Sequence, residues 1–181
     1  GRGTHRNFYH GGDYAFMCAS PEGFEPTFDD PLTKRVKNFH LRPEDVRFVL
    51  DKLLSDDPGS ELLKGRLAPD QVAVAGQCAG SSTALAMVGL RANLPEKKDA
   101  TFVDPRFKCA IALSPQPGGG RGRPLHADSW ARVEVPTLMV TGTRDFNWSP
   151  EARANPNRTR IPFDGLPPGG KYLVEIKDAE H

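Results

Sequence analysis

A chain of 181 residues with 38% hydrophobic content can bury one good core, and that composition fits neither a disordered nor a multi-domain protein. The 24 Lys+Arg and 23 Asp+Glu residues leave a formal charge of +1 and are spread along the chain, so no field exists that would gather nucleic acid or an anionic membrane. The three cysteines, Cys18, Cys78 and Cys109, are odd in number and far apart, which excludes a disulfide framework and paired zinc ligands. At least two of them read as plain buried thiols. The longest apolar run, Ala84 to Leu90, falls short of a membrane span and is broken by Gly89.

In chain order, Arg6 to Ser20 has helical character weakened by Gly11 and Gly12, and Pro21 to Lys37 is loop-like. "LRPEDVRFVLDKLL" then places Val46, Val49, Leu50, Leu53 and Leu54 at helical spacing, with Pro43 and Glu44 suited to a first turn. "DQVAVAG", "KCAIALSP", "PTLMVTGT" and "KYLVEIKDAEH" are short apolar runs bounded by turn residues. Three of them are nearly continuous in apolar character, as strands covered on both faces must be, which predicts a parallel sheet. From residue 41 the order is helix, strand, helix, strand, variable segment, strand, long loop, strand. That order predicts an α/β fold, three layers α/β/α around a mostly parallel sheet. "PQPGGGRGRP" predicts a mobile loop; an RNA-binding reading of its Arg-Gly run is a poor match, since the run is short and has no aromatic partners.

Chemistry concentrates at "VAGQCAGSS". A strand that turns at once into a helix needs small residues two positions before and two after the turn, and Gly76 and Gly80 stand there around Cys78. The helix that follows points backbone N–H groups and its positive dipole end at the cysteine, which favours a thiolate. Taken alone, the pentapeptide reads as a small buried residue in a glycine-rich turn rather than as a nucleophile. What changes the reading is the order of the partners. Asp145 follows the strand "PTLMVTGT" and His181 follows the last strand, so nucleophile, acid and base lie in loops at the carboxyl edge of one sheet. His5, His10, His40 and His126 lack such placement and read as structural or solvent-exposed.

From about residue 40 to the end, "RPEDVRFVLDKLL", "VAVAGQCAGSSTALAMVG", "RFKCAIALSP", "VPTLMVTGTRD" and "LPPGGKYLVEIKDAEH" together resemble the α/β-hydrolase superfamily, in particular its dienelactone-hydrolase-like and platelet-activating-factor-acetylhydrolase-like branches. The resemblance implies a single domain over 1–181 that lacks the first strands and the last helix of the complete fold. It implies a hydrolase of carboxylic esters or lactones that acts through a covalent acyl-enzyme, with Cys78 as nucleophile, His181 as base and Asp145 as its orienting acid. Serine is the commoner nucleophile in such families, while dienelactone hydrolases carry cysteine; the sequence is compatible with a native cysteine and with a replaced serine. Gln77 stands where relatives often have His or Tyr.

The family's oxyanion hole pairs the N–H after the nucleophile, here Ala79, with an N–H from a His-Gly turn near the start. If Gly1 is the glycine of that turn, Arg2 or Gly3 gives the second N–H; "YHGGDY" is a rival match that no apolar strand precedes. Gln116, Phe146 and Trp148 lie in loops beyond the strand ends and are candidate pocket residues for a small ester or lactone. No cofactor, metal set, nucleic acid or integral membrane segment is expected. The competing expectations are a non-catalytic binding or scaffolding member of the fold and an inactive fragment of such an enzyme.

Overall fold

The computed structural model describes residues 31–55, 63, 65–118, 124–145 and 155–181. The expected helix over Arg6 to Ser20, Cys18 and the "YHGGDY" stretch lie outside them.

Helix α1 runs Pro31–Leu54. The predicted helix was to open at Pro43, so the helix is longer than the sequence suggested and residues 31–37 are helical, not loop. Pro43 is interior. It lacks an N–H for the helix ladder, but it is fully buried, so its ring fills core space where the hydrogen bond is lost. The inward stripe is also narrower than predicted. Leu50 is buried, Phe39, Val46 and Leu54 pack partly against the core, and Val49 and Leu53 face outward.

Four strands follow: β1 (Val72–Gln77), β2 (Phe107–Leu113), β3 (Thr137–Gly142) and β4 (Lys171–Ile176). They form one sheet in the order β1-β2-β3-β4 with every neighbouring pair parallel. The fold is α/β. Helix α2 (Ala79–Ala86) lies on β1 and β2, and α1 packs against α2. Every residue of α2 from Gly80 to Ala86 is buried, as its small side chains allow in a central helix. One sheet face, Val74 and Gly76, Ala110 and Ala112, Thr137, Met139 and Thr141, is buried. Beside the sheet Leu85, Met87, Leu90, Trp130 and Val133 complete the core. Trp130 stands so close to Gly118 that a Cβ there would lie 2.8 Å from its ring.

The register places Ala75, Ile111, Leu138 and Tyr172, then Gln77, Leu113, Val140 and Val174, on the opposite face. Apart from Gln77 that face is apolar, but it is only half-covered among the described residues, and Tyr172 is 63% exposed. The predicted long loop before β4 holds a 3₁₀ turn, Pro156–Arg160, and a short helix α3, Ile161–Asp164. Pro115 and Pro117, at the start of the stretch read as a mobile loop, are both buried.

Candidate active site

Cys78 occupies the turn between β1 and α2 with φ 53° and ψ −119°, a backbone conformation that costs a non-glycine residue strain. Neighbouring hydrogen bonds hold it there. Its N–H extends the sheet ladder to the Leu113 carbonyl at 2.9 Å, and its own carbonyl accepts from the Ser81 N–H at 3.1 Å and the Ser81 hydroxyl at 2.6 Å. The turn also explains the glycine before it. A Cβ on Gly76 would stand 2.1 Å from the Gly80 carbonyl oxygen, so strand and helix meet backbone to backbone.

Asp145 lies just past β3, in a turn closed by its N–H on the Gly142 carbonyl at 3.1 Å. Its carboxylate is shielded from water and accepts from the Thr141 hydroxyl at 3.1 Å and from the Ser114 side chain. The segment after β4 folds back over the end of β3. The Ala179 carbonyl accepts the Arg144 N–H at 3.0 Å, and the Asp178 N–H donates to Thr143 Oγ1 at 2.9 Å. Gly142 permits this crossing, since a Cβ there would be 2.1 Å from the Ala179 oxygen. The crossing delivers His181, whose Nδ1 is 2.8 Å from Asp145 Oδ1. With Nδ1 so occupied, Nε2 is the ring nitrogen available to Cys78, and the ring hydrogen-bonds the thiol.

The charges follow from these contacts. Burial opposes ionisation of Cys78, yet hydrogen bonding and charge from His181, the Gln116 amide and the Ala79 N–H outweigh it and lower the thiol's pKa. Asp145 hydrogen-bonds the His181 ring and Cys78 adds a second bond, so the imidazolium is favoured and its pKa is pushed up to about 10. Burial likewise opposes the Asp145 charge, and His181, Ser114 and Thr141 overcome it, holding the carboxyl below its ordinary range. These contacts favour the thiolate form of Cys78 and the imidazolium form of His181, beside a buried carboxylate.

Cys78, Asp145 and His181, expected from their order in the chain, are brought together, the Ala79 N–H bonds the Cys78 sulfur, and Gly76 meets Gly80 backbone to backbone. Gln116, expected as pocket lining, donates from Nε2 to Cys78 Sγ at 3.2 Å. Arg2, Gly3, Phe146 and Trp148 lie outside the described residues. His40 pairs with Glu96 and His126 approaches Asp99 at 3.3 Å, so neither joins the cluster. Sequence reading missed Ser114 and Thr141 as supports of Asp145. Both lie in or beside strands whose hydroxyl residues look like ordinary sheet residues until the register is known.

No protein-family model matches the chain, and no curated protein does. Among solved structures the chain is similar to a Paleococcus ferrophilus monoacylglycerol lipase at TM-score 0.43 and 13% identity, covering 77% of this chain and 66% of the lipase. It is similar to Thermogutta terrifontis esterase 2 phosphorylated by paraoxon at TM-score 0.47 and 17% identity, covering 81% of this chain and 54% of the esterase. For the same esterase phosphoramylated by tabun the values are 0.44, 16%, 81% and 55%. The chain thus spans just over half to two thirds of these proteins' length. Among the described residues no helix is long and apolar enough to cross a membrane.

Proposed function

We propose that this chain is the catalytic part of a carboxylic ester or lactone hydrolase of the α/β-hydrolase type, nearest in its cysteine to the dienelactone-hydrolase-like branch, and that 1–181 belongs to one domain. One observation carries the reading: the His181 ring bridges a buried Asp145 carboxylate at 2.8 Å and the sulfur of Cys78, which sits strained at a strand–helix turn. A scaffold has no physical use for this combination.

In the proposed reaction the Cys78 thiolate attacks the acyl carbon, forming an S–C bond while the carbonyl electron pair moves onto oxygen. The Ala79 N–H receives that oxyanion, with a second N–H expected from Arg2 or Gly3. Collapse restores the carbonyl and breaks the C–O bond, and the leaving alkoxide takes its proton from the His181 imidazolium. The neutral ring then takes a proton from water, hydroxide adds to the thioester, and the thiolate leaves. Asp145 stays ionised throughout and holds the ring in the tautomer that presents Nε2 to the sulfur.

The reaction should have a distinct pH dependence. For an activated short-chain ester such as p-nitrophenyl acetate, kcat/KM rises as pH climbs through the lowered pKa of Cys78, which lies below 9.0, and falls as His181 loses its proton near about 10. Folding stability carries the corresponding sign. Because the His181 pKa is raised in the folded state, its contribution is complete below 6.5 and is lost as pH rises through about 10. Asp145, whose pKa is lowered, contributes above 3.8 and loses that contribution as pH falls through its folded value. Initial-rate measurements across this range check the first claim, and a folded protein that hydrolyses nothing at any pH contradicts it.

A further inference from the structure

We propose that the Gln116 side-chain amide is a catalytic hydrogen-bond donor that stabilises the Cys78 sulfur whenever it carries negative charge and then takes the carbonyl oxygen as the tetrahedral intermediate forms. The second half of this role rests on the hydrolase reading. Gln116 Nε2 donates to Cys78 Sγ at 3.2 Å, and the same sulfur also receives the His181 ring and the Ala79 N–H. A buried neutral thiol is a small, weakly polar group that needs no partners. Two N–H donors and an imidazole converging on one sulfur favour its anion.

The donor is built in place. Ser114, with φ 46°, ends β2 by donating its N–H to the Val140 carbonyl at 2.7 Å, and its side chain bonds Asp145. Pro115 and Pro117, both buried, flank Gln116. Each proline fixes its own φ, and Pro117 also restricts the residue before it, so Gln116 stands on a stiff backbone. One tetrapeptide therefore supports the acid at its first residue and reaches the nucleophile at its third. Such a side chain costs little to reorganise during reaction, the property that makes an oxyanion donor effective. When the S–C bond forms, the negative charge moves from sulfur to the oxygen of the carbon it has attacked. An amide already in contact with the sulfur needs only a small side-chain rotation to follow that charge.

The test compares wild type with Gln116→Ala and with the near-isosteric Gln116→Glu, which keeps the volume if alanine disturbs the fold. Three quantities are measured: the pH midpoint of Cys78 alkylation by iodoacetamide, kcat and KM for p-nitrophenyl acetate, and the melting temperature. Both variants are expected to raise the alkylation midpoint, Glu more than Ala because its carboxylate repels the thiolate. Both are expected to lower kcat on the order of 10²-fold with KM little changed, the usual loss for one oxyanion donor. An unchanged midpoint and kcat in folded variants overturn the proposal, and a change confined to KM overturns it in favour of a wall of the pocket. If wild type itself forms no product, the hydrolase reading fails and the oxyanion role fails with it. The alkylation midpoint then decides by itself whether Gln116 holds the sulfur anion.

Discussion

His181→Ala is expected to lower kcat/KM by about 10⁴-fold or more while leaving the protein folded. The ring contacts both Asp145 and Cys78, so in the proposed reaction its loss removes the base, the acid for the leaving group and the charge that favours the thiolate. The side chain is 25% exposed and stands outside the main apolar core, so the fold does not depend on its packing. Some stability is lost nonetheless. The Asp145 side chain is 0% exposed and would keep only its hydroxyl donors, a loss of about 1–3 kcal/mol for a buried polar group stripped of a partner. Steady-state kinetics with a thermal melt separate the two effects. Activity within tenfold of wild type in the folded variant would refute the assignment of His181.

Gly76→Ala is expected to damage the fold severely. Its Cβ would lie 2.1 Å from the Gly80 oxygen, 2.3 Å from the Gly80 carbonyl carbon and 2.9 Å from the Ser81 nitrogen. All three are backbone atoms, so no side chain can rotate away. β1 is fixed by its ladder to β2, and α2 is buried on nearly every residue, which leaves neither element free to withdraw. The expected cost is about 3 kcal/mol or more, at or above the top of the usual overpacking range. For a domain of this size that lowers the melting temperature by roughly 6–12 °C. A melt within about 2 °C of wild type would mean that strand and helix are farther apart at this turn than described.

Much of this arrangement was legible in the chain itself. The four apolar runs became four parallel strands because short, near-continuous apolar segments between turn residues have few other ways to be buried. The Gly-x-Cys-x-Gly turn was legible because steric exclusion acts locally and can be read from residue size. The order of Cys78, Asp145 and His181 was legible because a parallel sheet collects successive loop residues at one edge. What escaped was set by contacts distant in sequence. Pro43 marked a helix start by local rules, whereas burial of its ring against the core lets α1 run through it from Pro31. Ser114 and Gln116 sit one residue to either side of Pro115, and nothing local shows that one turns to Asp145 and the other to Cys78. The stripe of α1 narrowed for the same reason, since helical spacing offers five apolar positions and packing against the core selects among them.

The most direct test of the central claim is intact-mass spectrometry after brief incubation with p-nitrophenyl acetate, comparing wild type, Cys78→Ser and Cys78→Ala, with peptide mapping of any adduct. The hydrolase reading predicts an acetyl adduct on Cys78 in wild type, none in the alanine variant, and turnover that appears and disappears with the adduct. A folded wild-type protein that neither gains the acetyl mass nor hydrolyses the ester, with the serine variant equally inert, would contradict it and leave the Cys78 turn as architecture alone.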